Sequence, residues 1–181
     1  SNIGNISLPF AQNVGISGKV LAFEPQIKIY NYFIKNIKIN NLEKIIKPFN
    51  LALGDKKNFL KMTNNSDDTT NQIIENGSTG VKIDQLDNFI KDDVHFLKID
   101  VEGYEFEVLK GAENILKKTK YIYFECNTKL LKMNNTSERE ICTFLLEKNF
   151  KIYDTQNYLL VENIISDEES KKMLFAENMS M

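Results

Sequence analysis

The feature that most constrains this chain is a repeated one: a short, mostly apolar run that stops at a carboxylate. Residues 19–23 (KVLAF) stop at Glu24-Pro25, residues 95–99 (HFLKI) at Asp100, and residues 121–124 (YIYF) at Glu125. Runs this short, closed by Gly, Pro or an acid, have the length of a buried strand rather than a helix. Between them lie stretches of helical spacing. Ile6, Phe10 and Val14 recur before Gly15 and Gly18. Ile27, Tyr30, Phe33, Ile34 and Ile37 form one stripe, and Phe106, Leu109, Ala112 and Leu116 another within 105–118. Strands alternating with helices predict an α/β fold, a mostly parallel sheet with helices on both faces. Such sheets bind ligands at the carboxyl ends of their strands, where Glu24, Asp100 and Glu125 are expected.

The rest of the chain is read in the same way. Residues 45–53, 59–62 and 81–84 are predicted strands, 63–80 a polar surface loop, and 85–90 a short helical turn. Ser137 followed by Glu140 is a capping box for a helix through Lys148. Residues 150–153 and 158–161 predict an antiparallel pair. The expected organisation is one domain over 1–163 and a partly helical tail over 164–181, beginning around the acidic stretch 167–169.

Composition narrows the function. A net charge of -2 and a single arginine, Arg139, argue against a nucleic-acid partner and leave no bidentate phosphate clamp. No stretch approaches the roughly 20 apolar residues that span a bilayer, and no basic segment leads an apolar run. Cys126 and Cys142 form neither a disulfide framework nor a metal-ligand spacing, which suits a reducing, cytoplasmic setting. With His95 the only histidine, no zinc site is expected.

The candidate site residues each have two readings. Glu24 can accept both hydroxyls of a ribose or be a solvated acid before a proline turn. Asn2-Ile3-Gly4 can bring backbone amides close to a ligand or be an ordinary chain end. Asp100-Val101-Glu102-Gly103-Tyr104-Glu105 packs three acids into six residues at a strand-to-helix turn. Glu105 is accounted for by the positive end of its helix. Asp100 and Glu102 are not, because like charges this close need water, a cation or a cationic substrate. Glu125 is expected beside them. His95 reads as a core or rim histidine rather than a catalytic one, and Cys126 as a small buried hydrophobe.

These residues carry a family resemblance. GKVLAFEP, YNYFIKNIKINN, LALGD, FLKIDVEGYEFEVLKGA and IYFE follow one another as in the FkbM-type methyltransferases, over roughly residues 1–126. The resemblance implies a class I, Rossmann-like fold and the cofactor S-adenosylmethionine, used to methylate a hydroxyl of a small molecule or glycan. It implies that Ser1, Asn2, Ile3 and Gly4 match the end of the family's first motif, Asp-x-Gly-(Ala or Ser)-Asn-x-Gly, with Asn2 and Gly4 at the methionine end of the cofactor. Glu24, with Pro25 after it, would hold the ribose, and residues 50–53, Leu53 among them, would lie near the adenine. Asp100, Glu102 and Glu125 would stand next to the transferred methyl and the acceptor, with Asp100 also touching the cofactor. A carboxylate there can act as base, and a divalent cation held by several could do the same work, although spacing alone supports no metal.

Two other functions stay open. One is a nucleotide-dependent oxidoreductase, disfavoured because no Gly-x-Gly-x-x-Gly follows a strand. The other is a truncated or degenerate domain without catalysis. Ser1–Gly4 matches only the second half of the motif, so the strand before it, central in the class I sheet, is expected to be missing. The strands at 19–23 and 95–99 would then lack a common partner, weakening cofactor binding and exposing strand edges.

Overall fold

A computed structural model describes residues 1–63, 71, 73, 79–155 and 171–181. These fall into two units, Ser1–Leu53 with Lys57–Asp84, and Gly54–Lys56 with Gln85–Met181. Most of the predicted polar loop, the expected strand at 158–161 and the acidic stretch 167–169 lie outside the described residues.

In the first unit α1 (Ser7–Val14), β1 (Val20–Phe23), α2 (Ile27–Ile39) and β2 (Ile46–Phe49) follow in order. β1 and β2 pair in parallel, Val20 opposite Ile46 and Phe23 opposite Phe49. The apolar stripe of α2 supplies Phe33 and Ile37, which pack with Ala11, Ala22, Leu42 and Ile46. Phe33 is wholly buried, a contribution of roughly 1.5–3 kcal/mol. A separate sheet holds β3 (Ala52–Leu53), β4 (Asn58–Met62) and β5 (Thr79–Asp84) in the order β3-β5-β4, with β3 parallel and β4 antiparallel to β5. The single strand predicted over 45–53 is therefore two strands in two sheets. Asn50 marks the break: its side-chain amide donates to the carbonyls of Glu24 (2.9 Å) and Pro25 (3.1 Å).

The second unit is built on one sheet. β6 (Val94–Ile99) runs parallel to β7 (Thr119–Asn127). β9 (Lys171–Asn178) lies antiparallel between β7 and β8 (Phe150–Asp154), giving the order β6-β7-β9-β8. The expected tail helix is thus a strand over Lys171–Asn178. Its Leu174, Ala176 and Asn178 are buried in the alternation of a pleated strand, and the amide of Asn178 donates to the carbonyls of Leu116 and Thr119. Among the described residues β1 pairs with β2 and β6 with β7, so the strands expected at 19–23 and 95–99 share no ladder.

The helix predicted over 105–118 is broken into α3 (Glu105–Lys110) and α4 (Glu113–Leu116). The cause is a 3-10 turn at Leu86–Asn88. Asp87 donates its backbone N–H to the carbonyl of Gly111 (3.1 Å), and its carboxylate accepts from the amides of Asn114 (3.0 Å) and Ile115 (2.9 Å). Gly111 suits the break, because a Cβ there would collide with the carbonyl of Gly54. Later in the chain come α5 (Thr128–Met133) and α6 (Glu138–Glu147). The side chain of Asn127 caps α5, which has no signal in the sequence reading. The Ser137 half of the predicted capping box of α6 is present, Glu140 N–H donating to Ser137 Oγ, while the Glu140 carboxylate accepts from the Ser137 hydroxyl.

Asp87 acts as the remote cap of α4. Asp87→Ala should destabilise the protein by about 1–3 kcal/mol, the scale of losing charge-assisted bonds to two amides. Urea unfolding measures it, and a loss below about 0.5 kcal/mol, the scale of a neutral surface change, would contradict this role.

Candidate active site

Glu24 sits at the end of β1, where an apolar strand delivers a carboxylate to a loop, and is 5% exposed. A buried carboxylate needs donors. Oε2 accepts from the backbone N–H of Asn2 (2.8 Å) and Oε1 from that of Gln26 (3.0 Å). Ser1 N donates to the carbonyl of Phe23 (3.1 Å), and the Asn36 side chain donates to the carbonyl of Ile3 (2.9 Å). Asn2 takes a left-handed backbone, φ 52°, and its Oδ1 accepts from the N–H of Ile3. The structure thus gathers Ser1, Asn2, Ile3, Gly4, Glu24 and Pro25 in the first unit, and Asn50 joins them. Leu53 lies in β3, opposite Asp84. Gly4 has φ 104°, and a Cβ there would stand 2.9 Å from the Phe33 ring. Packing against the core thus accounts for this glycine without a ligand.

The second unit gathers the other candidates. Asp100 follows β6. Glu102 lies on the turn to α3 with φ 53°, uncommon for a residue with a long side chain, and Gly103 continues at φ 92°. Glu125 is the last apolar run's acid, but it lies inside β7, which continues to Asn127. Asp100, Glu102 and Glu125 each offer an oxygen within 4.8 Å of the others, the spacing at which carboxylates can share a cation.

Two lysines meet these acids. Lys98 Nζ is 2.6 Å from Asp100 Oδ2. Lys171 Nζ is 3.0 Å from Glu125 Oε1, and among the described residues this ion pair is what meets that buried oxygen. Burial first, then the charge of Glu125, pushes the Glu102 carboxyl above its ordinary value. Asp100 adds to this and Lys171 opposes it. Contact with Glu125 in turn raises Lys171, with Glu102 and Asp100 contributing. Lys98 was within reach of sequence reasoning, because i and i+2 share a strand face. Lys171, 46 residues after Glu125, gave no signal.

Glu105 does more than meet the positive end of its helix. It is 1% exposed, and its Oε1 accepts from the backbone N–H of Val101 (3.2 Å) and Gly103 (3.2 Å), on either side of Glu102. It therefore clasps the acid loop. Burial raises its carboxyl to about 7 against the pull of those amides, and Oε2 is left without a hydrogen-bond partner. His95 stacks edge-on against Tyr121 on β7, as a rim histidine would. Cys126 and Cys142 are buried, and burial raises both thiols, which makes them poor nucleophiles.

Residues 1–152 match the methyltransferase FkbM domain family, and the chain belongs to that family. No curated protein sequence matches it. Its fold is that of class I methyltransferases. An FkbM methyltransferase from Methylobacillus flagellatus superposes with a TM-score of 0.54 at 16% identity, covering 97% of this chain and 42% of that one. A candidate rRNA-methylase from Clostridium thermocellum gives 0.58 at 14% identity, with 97% and 81% covered. A candidate methyltransferase from Streptococcus mutans, in complex with SAH, gives 0.54 at 11% identity, with 97% and 83% covered. Among the described residues no helix is long and apolar enough to cross a membrane.

The Glu105 clasp has a pH signature. A carboxyl at about 7 when folded, against 4.5 ordinarily, keeps its proton in the native state between those values. Its contribution to stability is full below about pH 4.5, falls as pH rises and is lost above about 7, a change of roughly 3 kcal/mol. Glu102 and Glu138 are raised in the same direction, so Glu105→Gln should flatten the slope rather than remove it. Urea unfolding of both proteins at pH 5, 6, 7 and 8 measures this, and parallel slopes would refute the clasp's titration.

Proposed function

We propose that this member of the FkbM family is an S-adenosylmethionine-dependent O-methyltransferase, acting on a hydroxyl of a small molecule or glycan. The observation that carries the reading is Glu102. It is held in a left-handed turn between two amides fixed by Glu105, beside two carboxylates that are each paired with a lysine, while no ion pair holds Glu102 itself among the described residues. Its raised carboxyl suits a base that takes the proton of an attacking hydroxyl near neutral pH.

The first unit fits the cofactor. A carboxylate has about four lone-pair sites; the amide of Asn2 and the Ser1 nitrogen (3.5 Å) meet Oε2 of Glu24, and the amide of Gln26 meets Oε1. Capacity remains on Oε1 for a ribose hydroxyl. A cavity of about 170 Å³ is lined by Pro25, Ile27, Phe59 and Val81 together with Asn50, Thr79, Gly80 and Lys82. Apolar faces beside an amide, a hydroxyl and a lysine offer a nucleobase both a flat surface and polar partners. Bound S-adenosylmethionine would supply an electrophilic sulfonium methyl. The chain's own part is to fix the ribose through Glu24, keep the Asn2–Gly4 backbone in place, and hold Glu102 ready for the acceptor's proton. Alignment of this kind supplies much of the rate in such displacements. The net charge of -2 and the single arginine favour a small or carbohydrate acceptor over RNA.

Calorimetric titration with S-adenosylhomocysteine tests the cofactor half. Glu24→Gln should weaken binding by about 1–3 kcal/mol, the range of a charge-assisted bond. Unchanged affinity would remove Glu24 from the site. The acceptor half is read by transfer of a radiolabelled methyl to a panel of hydroxylated small molecules, glycans and RNA. Glu102→Gln should lower kcat by about 10²–10⁴ with cofactor affinity intact. Labelling of RNA alone would overturn the proposed acceptor class, and normal turnover would remove Glu102 as the base.

A further inference from the structure

We propose that Lys171 is a positioning residue whose ammonium is the resident cation of the Asp100–Glu102–Glu125 cluster, and that it stands where a divalent metal would otherwise bind. The proposal rests on the reading of this cluster as the acceptor-side site only for its catalytic meaning. Its geometry stands apart from that reading.

The argument begins with the register of β9. Met173 lies opposite Glu125 on β7, and Lys171 opposite Asn127. Two steps along a strand restore the same face, so Lys171 is the diagonal neighbour of Glu125. Its side chain is 59% exposed, while that of Glu125 is 7% exposed. The lysine thus reaches inward from solvent to a carboxylate that has left it. Among the described residues no other group donates to the oxygen it meets, Oε1. Lys172, the next residue, points to the other face and pairs with buried Glu138. The two neighbouring lysines therefore serve separate acids, and of the two it is Lys171 that meets this cluster, where Lys98 already pairs with Asp100.

Charge decides what the cluster can hold. Asp100 is matched by Lys98 and Glu125 by Lys171, which leaves one negative charge for Glu102. One residual charge is a weak attraction for a hydrated dication, which would have to displace Lys171 to reach Glu125. Without the lysine, Glu125 would be a buried, uncompensated charge with oxygens of Asp100 and Glu102 within 4.8 Å. That is the situation in which a divalent cation binds, since burying an unpaired charge is costly. In the native protein Lys171 holds Glu125 in place, so that Glu102 is left as the free carboxylate.

Manganese binding, followed by the electron paramagnetic resonance of free Mn²⁺, tests this without any acceptor or cofactor. The wild-type protein should show only weak binding. Lys171→Met should bind one Mn²⁺ at least about tenfold more tightly, a change of about 1.4 kcal/mol. Lys171→Arg should behave as wild type, and Lys171→Met with Glu125→Gln should lose the gain. Equal binding by wild type and Lys171→Met, whether tight or absent, would overturn the proposal, as would a gain that survives Glu125→Gln. Because the readout is metal binding, its failure is distinct from a failure of Glu102 as base, which shows only in turnover.

Discussion

A carboxylate withdrawn from water must find donors or a partner charge, and both candidate regions of this protein are shaped by that requirement. Glu24 ends a buried strand and is satisfied by the amides of Asn2 and Gln26. Glu105 begins a helix, is almost wholly buried, and is satisfied on one oxygen by the amides of Val101 and Gly103. In each case an acid holds a loop by its backbone. Each loop contains a residue in the left-handed region, Asn2 at φ 52° and Glu102 at φ 53°. Backbone strain of this kind, about 1–3 kcal/mol for a non-glycine residue, persists only where the surroundings over-determine it. Here the acids are what over-determine it.

The consequence for chemistry is a division of labour among like charges. Asp100 and Glu125 are compensated by lysines from β6 and β9. Glu105 is compensated by backbone and carries its proton to about neutral pH. Among the described residues Glu102 has neither an amide nor an ion pair, and its carboxyl is raised by burial, then by Glu125 and Asp100, against the pull of Lys171. On the proposed reading, this leaves one acid of the group for the acceptor while the others keep the loop in shape.

Much of this was legible in the sequence, for reasons that can be stated. The strands that end in Glu24 and Asp100 are short, apolar and sharply closed, so their ends and their acids can be read directly. The capping box at Ser137 is local and was equally readable. The break between α3 and α4 was not, because it depends on Asp87, 27 residues before Ile115's predecessor Asn114. Nor was the strand Lys171–Asn178, whose composition suits a helix as well. Its burial alternation becomes visible only once β7 and β8 flank it. The Lys171 contact is hidden for the same reason, since a tail helix gives no cause to bring a lysine to Glu125. Glu105 was underestimated because a helix-end explanation was sufficient, and nothing local shows that its side chain turns back onto Val101 and Gly103.

The central claim is that strand-end acids organise the site, with Glu24 assigned to the cofactor. A crystal structure of the protein with S-adenosylhomocysteine tests it most directly. The account predicts the ribose hydroxyls within hydrogen-bond distance of the Glu24 carboxylate, with the Asn2 and Gln26 amides still on its two oxygens. A ribose held by other groups, with Glu24 serving only those two amides, would contradict it.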